Sequence, residues 1–315
     1  MPENAGDELA ALRQQVARMA GRIEDLASLM TDSYHHQMSM LRRIHDSGSI
    51  YLGGHVAMTF LTNGYRAFVD TRSLDVGVHP LHGGSWETHY TEAFKRMLRP
   101  GATVVDVGAN LGWYTLVAAP IVGATGRVFA VEPNPGLARL VQESVHTNGF
   151  VGWTQVYQVA VSDAPGVVDL VYDPDMPGGG VIRPGSYALT HVRSTATRVA
   201  AVRLDALLAG HAGHAGPVDV LKMGIEGWEG VALRGMTGIL DRSPRLRMLV
   251  EWGAAQDQTP APRAETALEL GRRGYTPFRI EADGSIARET WDGALAEQAL
   301  TNLVLLPEGD PLAVP

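Results

Sequence analysis

The strongest chemical signal lies in two short segments near the middle of the chain. In Val105-Asp106-Val107-Gly108-Ala109-Asn110-Leu111-Gly112, an apolar run predicts a buried strand and the glycines predict a cornered turn. Trp113-Tyr114-Thr115 then reads as the start of a helix. Without a Cβ at Gly108 or Gly112, the turn's backbone can come close to a ligand. A second apolar run, Val128-Phe129-Ala130-Val131, ends in Glu132 and is fixed by Pro133. An acid ending a buried parallel strand stands where α/β sheets bind ligands, and a carboxylate accepts both hydroxyl protons of a ribose. Roughly twenty-five residues apart and in register, the two segments predict a pocket for a nucleoside-bearing cofactor.

The glycine spacing bears on which cofactor. A dinucleotide site uses G-x-G-x-x-G, so that a helix N-terminus meets a pyrophosphate. Here the middle glycine is absent and Asp106 precedes the turn. That carboxylate repels a pyrophosphate but can bond, through water, to the ammonium of an amino-acid tail. The pattern favours S-adenosylmethionine, with a nicotinamide or flavin dinucleotide as the alternative.

These residues must be held by an alternating α/β chain. Strands are predicted near 103–109, 128–132, 155–161, 217–223, 246–252, 275–281 and 301–306, and helices near 111–122, 135–148, 226–234 and 261–273. This is a seven-stranded, mostly parallel sheet with an antiparallel edge formed by the last two strands. Residues 48–100 form a preceding segment of short strands, with a hairpin turn at Thr62-Asn63-Gly64-Tyr65, and a helix from Ser85 or Thr88 to Leu98 that covers the pocket. The main domain is 101–315. Residues 167–199, rich in Pro and Gly, read as a hairpin-like mobile loop beside the pocket.

Residues 1–47 are different in kind. Leu9, Leu12, Val16, Met19, Ile23, Leu26 and Met30 recur at steps of three and four, and the register runs on through Ser33, Gln37, Met40 and Ile44. Such a seam predicts a coiled-coil helix, with Val16 and Ile23 at a and Leu12 and Leu26 at d favouring a parallel homodimer. Glu8 can pair with Arg13 of the second copy. The alternative is a lone amphipathic helix packed on its own domain.

With 26 basic and 34 acidic residues, the net charge of −8 argues against a nucleic-acid substrate. Only Lys95 and Lys222 are lysines, and there is no cysteine. The absence of thiols fits a cytoplasmic protein, and no apolar run predicts a membrane span or signal segment.

Taken together, the motifs resemble the FkbM-type family of S-adenosylmethionine-dependent methyltransferases over roughly residues 60–307. The resemblance rests on Trp86-Glu87, Leu98-Arg99-Pro100-Gly101, the Asp106 to Gly112 turn, Glu132-Pro133, Asn148-Gly149 and Ser162-Asp163. It continues through Leu204-Asp205, Lys222 to Glu229, Leu233-Arg234-Gly235 and Asn302 to Pro307. It implies a class I methyltransferase, Rossmann-like fold. It also implies that Asp106, Gly108, Ala109, Asn110 and Gly112 hold the methionine moiety and that Glu132 holds the ribose. Asp163 reaches the adenine, Ala160 supplies a small apolar wall, and Glu87 belongs to the cofactor site. The reaction implied is O-methylation of a sugar hydroxyl, in a glycan or a glycosylated or polyketide natural product.

One position departs from the family pattern, Lys-x-Asp-x-Glu-Gly-x-Glu. Lys222, Glu226 and Glu229 are in place, but Gly224 stands where the Asp is expected. A divalent-metal site using that Asp loses a ligand, so metal dependence stays open and no metal site is assigned. Methyl transfer needs the acceptor held in line and its proton removed. Lys222 is a candidate base or clamp, or pairs structurally with Glu226 or Glu229. Glu226 is a candidate base opening the next helix, where the dipole favours its ionised form. His191, in the loop insert, is a third. The alternatives are a silent or inactivated cofactor-binding scaffold that recruits a partner through the coil, and a nicotinamide oxidoreductase.

Overall fold

The computed structural model describes residues 13–16, 18–28, 30–31, 48–183, 194–210 and 216–313. Two compact units separate at the boundary between Gly48 and Ser49. In the first, the described residues between 13 and 31 are helical. Val16, Met19, Ile23, Leu26 and Met30 are all exposed on this helix, each more than half accessible. The other heptad positions, Leu9, Leu12, Ser33, Gln37, Met40 and Ile44, lie outside the described residues.

In the second unit, strands β1 (Ile50–Gly53), β2 (Val56–Phe60) and β3 (Arg66–Asp70) form a small antiparallel sheet. The predicted turn at 62–65 joins β2 to β3, with the Leu61 amide donating to the Tyr65 carbonyl at 2.8 Å. The helix Thr88–Met97 follows, buried through Thr91, Ala93, Phe94 and Met97.

The main sheet contains β4 (Thr103–Val107), β5 (Arg127–Val131), β6 (Thr154–Tyr157), β11 (Val220–Met223), β12 (Arg247–Trp252), β13 (Tyr275–Ile280), β14 (Ile286–Arg288) and β15 (Thr301–Pro307). Their order is β14-β13-β15-β12-β11-β4-β5-β6. The neighbours from β12 to β6 are parallel, and β15, β13 and β14 complete an antiparallel edge. The sheet has eight strands rather than the seven predicted, because Ile286–Arg288 folds back on β13 after the Asp283-Gly284 turn.

Apolar side chains cover both faces, as a parallel sheet requires. One face packs under the helices Trp113–Val122 and Pro135–Thr147, together with β2, β3 and Thr88–Met97. The other packs under Leu204–Ala209, Glu229–Arg234, Thr237–Arg242 and Arg263–Arg272. Residues 49–100 therefore share the core of the main sheet. The helix Pro135–Thr147 starts where the sequence places it, because Asn134 Oδ1 accepts from the Gly136 and Leu137 amides at 2.9 and 3.3 Å and Pro135 needs no amide partner.

The insert is not a loop in its described part. β7 (Ala160–Val161), β8 (Gly166–Asp173), β9 (Met176–Arg183) and β10 (Thr195–Val202) form a second sheet, ordered β7-β10-β8-β9. Its small core is Ala160, Leu170, Val199 and Ala201. The glycines that suggested a mobile loop let β9 lie flat: a Cβ on Gly180 would come within 3.2 Å of Leu170 Cδ1. The predicted strand 155–161 is likewise split between β6 in the main sheet and β7 in this one.

Candidate active site

The order of successive strands reverses between the parallel neighbours β4, which leads outward to β5 and β6, and β11, which leads to β12. Such a switch point opens a crevice at the carboxyl ends of the strands. A cavity of about 260 Å³ lies there. Its wall is built from Gly108 to Leu111 after β4, Glu132 to Asn134 after β5, Lys222 and Gly224 to Glu226 at the end of β11, and Glu251 in β12. Asp75, Trp86 and Glu87 reach it from the N-terminal segment, and Met176 to Gly180 from β9.

The loop after β4 is fixed by its backbone. The Gly108 and Ala109 amides both donate to the Val131 carbonyl, at 2.9 and 3.1 Å. Gly108 and Gly112 have φ of 75° and 89°, and Asn110 sits at 54°. Four described non-glycine residues adopt positive φ, and three of them, Glu87 (44°), Asn110 and Glu226 (55°), line the cavity. Each such residue costs about 1–2 kcal/mol, and strain of this kind gathers at functional sites.

Glu132 is buried with both oxygens engaged. Oε2 accepts from the Asn110 amide at 2.7 Å and Oε1 from the Asn134 amide at 2.8 Å. Burial pushes its carboxyl up to about 7, partly offset by those amides and by Lys222. Asp106 is fully buried beneath the loop rather than in the wall. Its Oδ2 accepts from Thr115 Oγ1 at 2.7 Å, Oδ1 has no partner, and burial raises its carboxyl. Contact with an amino-acid tail therefore needs an intermediate donor.

Beside the same loop, Lys222 Nζ donates to the Gly108 carbonyl at 3.0 Å and lies 5.3 Å from the centre of the Tyr114 ring. Its hydrogen bond goes to the loop rather than to Glu226 or Glu229. Glu229 is a structural pin, accepting from the Ile225 amide and from Gln256 Nε2, each at 2.8 Å. Glu226 does not open a helix as predicted. The helix begins at Glu229, and Glu226 stands in a left-handed turn before it. Burial therefore governs Glu226, not a helix dipole: its carboxyl is pushed up to about 7 by desolvation and by Glu251, against Lys222. Tyr114 Oη donates to Glu87 Oε2 at 2.7 Å, and its phenol is raised well above the usual value by burial and then by Glu87.

Other expectations fall differently. Gly108, Ala109, Asn110, Glu132, Ala160, Glu87, Lys222, Gly224 and Glu226 all line the cavity. Gly112 does not, and instead lets the loop pack on Val141, where a Cβ would approach to 3.1 Å. Asp163 is also outside the wall. The Ser162 amide bonds the Val202 carbonyl and draws the chain into the second sheet, while Arg203 Nη1 donates to the Asp163 carbonyl. His191 lies outside the described residues. Glu251, Asn302 and Asp75 are wall residues that the sequence reading missed. Of these, Glu251 carried a usable signal: like Glu132, it is an acid near the end of an apolar strand, Met248-Leu249-Val250-Glu251. Desolvation, with Glu229 adding to it against Lys222, pushes Glu251 up to about 7.

The carboxyls of buried Glu132 and of half-buried Glu226 and Glu251, all raised above the unfolded value of 4.5, fix the sign of a pH dependence. Between about 4.5 and 7 the folded chain holds more protons than the unfolded one. Their stabilising contribution is complete below that window and is lost as pH rises through about 7. The ligand-free protein should melt about 5 °C or more lower at pH 8 than at pH 5. A melting temperature that is flat or rises over that interval would contradict the burial of these acids.

The wall fits S-adenosylmethionine. The glycine-cornered loop offers backbone at close range, Glu132 keeps free lone pairs on both oxygens, and the buried orphan atom of Asp106 lies under the same loop. Among the described residues, no group of three or more His, Asp or Glu side chains is arranged to hold a metal ion, and no helix is long and apolar enough to cross a membrane.

The family model described as the methyltransferase FkbM domain matches residues 106–276, more than half of the chain. The protein-L-isoaspartate O-methyltransferase of Aeropyrum pernix is 40% identical over 65 residues, covering 21% of this chain and 24% of that protein. The ribosomal RNA large subunit methyltransferase E of Acidithiobacillus ferrooxidans is 38% identical over 90 residues, 26% of this chain and 38% of that one. The chain thus covers about a quarter to two fifths of these curated relatives. Among solved structures, M. jannaschii TYW2 in complex with AdoMet is similar with a TM-score of 0.41 and 13% identity, over 81% of this chain and 86% of that one. The O-methyltransferase from Bacillus cereus in complex with SAH is similar with a TM-score of 0.41 and 11% identity, over 70% and 80%.

Proposed function

Because this chain belongs to the family of methyltransferase FkbM domains, we propose that the whole protein is an S-adenosylmethionine-dependent methyltransferase acting on a hydroxyl group. The observation that carries this reading is the cavity wall itself. A buried strand-end acid and a glycine-cornered loop meet at one end, and a proton-accepting carboxylate near neutrality stands at the other. When bound, the cofactor supplies a methyl group on a cationic sulfur and leaves as a neutral thioether.

The chain's own residues then have distinct tasks. Glu132 takes the ribose hydroxyls, and the Gly108 to Asn110 backbone cradles the amino-acid portion. Lys222 holds the floor of the loop through the Gly108 carbonyl. Glu226 removes the acceptor's proton: it lines the cavity, and its raised carboxyl is ionised over part of the population at neutral pH, as a general base requires. Trp86, a half-buried aromatic packed against the His79 ring, lines the same wall, and an aromatic there together with the family resemblance supports a glycan or glycosylated small molecule as acceptor.

Gly224 does not argue for a silent scaffold. A Cβ at that position would lie 3.0 Å from Lys222 Nζ and 3.8 Å from Glu251 Cβ. An Asp there would occupy space between a lysine and a carboxylate already present. The test is mass spectrometry of candidate acceptors, glycans and glycosylated small molecules, after incubation with methyl-labelled cofactor, for the natural protein and for Gly224→Asp. The natural protein should transfer label, at a rate that climbs as pH rises toward about 7 and Glu226 ionises. Gly224→Asp should change that rate by less than about tenfold, equivalent to about 1.4 kcal/mol. Label transferred only by the variant would establish the scaffold reading instead.

A further inference from the structure

Assigning the base to Glu226 leaves a second carboxylate in the same wall without a task. Glu251 lies near the carboxyl end of β12, one strand over from Lys222, whose register partner is Leu249. Its Oε2 accepts the Glu226 amide at 3.2 Å. That bond ties the acid on one strand to the backbone of the acid on the loop beside it, at a residue held in a left-handed conformation. Neither carboxylate has a cation in ion-pair contact among the described residues, since Lys222 Nζ is turned to the Gly108 carbonyl.

The charges facing the two acids are few. Glu226 meets Glu251, Lys222, Asp75 and Glu87; Glu251 meets Glu229, Lys222 and Glu87 as well as the Glu226 loop. One lysine does not balance this many acids, and two carboxylates that line the same cavity and are joined through the Glu226 amide disfavour ionising together.

We propose that Glu226 and Glu251 act as one unit that carries a single proton between them as pH approaches 7, with Glu251 as the positioning residue that holds and tunes Glu226. This rests on the methyl-transfer reading above. In the transfer step the acceptor's O–H bond breaks and an O–C bond forms from an oxygen lone pair to the methyl carbon. The C–S electron pair stays with sulfur. The proton joins the carboxylate pair, which goes from one proton to two and later releases one to water. The pair thus gives up its negative charge in the same step in which the cofactor's positive charge disappears, so the net charge of a desolvated site stays constant. Gly224 borders the same arrangement, since a Cβ there would lie 3.0 Å from Lys222 Nζ and 3.8 Å from Glu251 Cβ.

The test is a carboxyl-carbon NMR titration of the full-length, ligand-free protein. It compares the natural chain with Glu251→Gln and Glu226→Gln, and S-adenosylhomocysteine binding is measured by calorimetry for each. In the natural protein the pair should titrate in two steps more than one pH unit apart, the upper near 7. In Glu251→Gln the Glu226 midpoint should fall by at least half a unit, and in Glu226→Gln the Glu251 midpoint should fall likewise. An upper midpoint unmoved by either substitution overturns the proposal. If one variant does not fold, the other decides. If neither folds, two steps in the natural protein uphold the pair, and complete ionisation of both acids below pH 6 overturns it. Failure of the natural protein to bind S-adenosylhomocysteine would defeat the cofactor reading separately, whatever the titration gives.

Discussion

Gly108→Ala is expected to abolish cofactor binding and to destabilise the fold by about 3 kcal/mol or more. Two independent costs add at this position. With φ at 75°, the backbone is in the left-handed region, where a Cβ costs about 1–2 kcal/mol. The added Cβ would also run into the Gly224 carbonyl oxygen and lie 2.8 Å from Ile225 Cγ2. Backbone cannot rotate away as a side chain can, so the β4 and β11 loops must part. The Gly108 amide bond to Val131 and the Lys222 bond to the Gly108 carbonyl go with them. Thermal melting and calorimetry with S-adenosylhomocysteine measure both effects. A variant that melts within a degree of the natural protein and binds normally would mean that the two loops do not touch as described.

Glu132→Gln should weaken S-adenosylhomocysteine by about 30- to 100-fold while leaving the protein folded. Glu132 accepts two backbone amides through different oxygens, and an amide side chain can replace only one of them. Its NH2 group would face either the Asn110 or the Asn134 amide, donor against donor. Hydrogen bonds to a charged partner are worth about 1.5–3 kcal/mol each, and the ribose would lose one such acceptor as well. Because Asn110 is the non-glycine residue held left-handed in the glycine loop, its misplacement also loosens the other half of the cradle. Calorimetry decides the matter: affinity within threefold of the natural protein would remove Glu132 from the ribose contact.

The residues expected at the site that the structure brings to the cavity wall share one property. Gly108, Asn110, Glu132, Lys222 and Glu226 each sit at a strand end followed by a turn, and the signal for a strand, its stop and its terminal residue is carried within a few neighbours. Glu251 has a similar local signature, but it precedes the strand's last residue, Trp252, and which face of the strand meets the pocket is set by its sheet neighbours. Asn302 and Asp75 had no local signature at all. Asn302 reaches the wall because β15 pairs with β12 and sets it opposite Glu251. Asp75 does so because its Oδ2 accepts the Gly178 amide at 2.7 Å, across more than a hundred residues.

Asp163 and the insert fail for the complementary reason. Ser162-Asp163 is an ordinary turn by composition, and only the pairing of β7 with β10 determines that it leads away from the cavity. Pro and Gly in 174–185 argue against a buried strand, yet β8 and β10 supply the partners that make β9 regular.

The sequence alone therefore determined the cofactor end of this protein: the alternation of strand and helix, the glycine corner, the acid of the second strand and the missing carboxylate at position 224. These follow from backbone stereochemistry and apolar periodicity, which act between neighbours in the chain. The tertiary structure decided the rest of the wall: the bond from the Glu226 amide to Glu251, the turning of Lys222 toward Gly108, and the raised carboxyls. Desolvation and Coulomb repulsion depend on distance through space, and no spacing along the chain encodes that two acids twenty-five residues apart will share one wall.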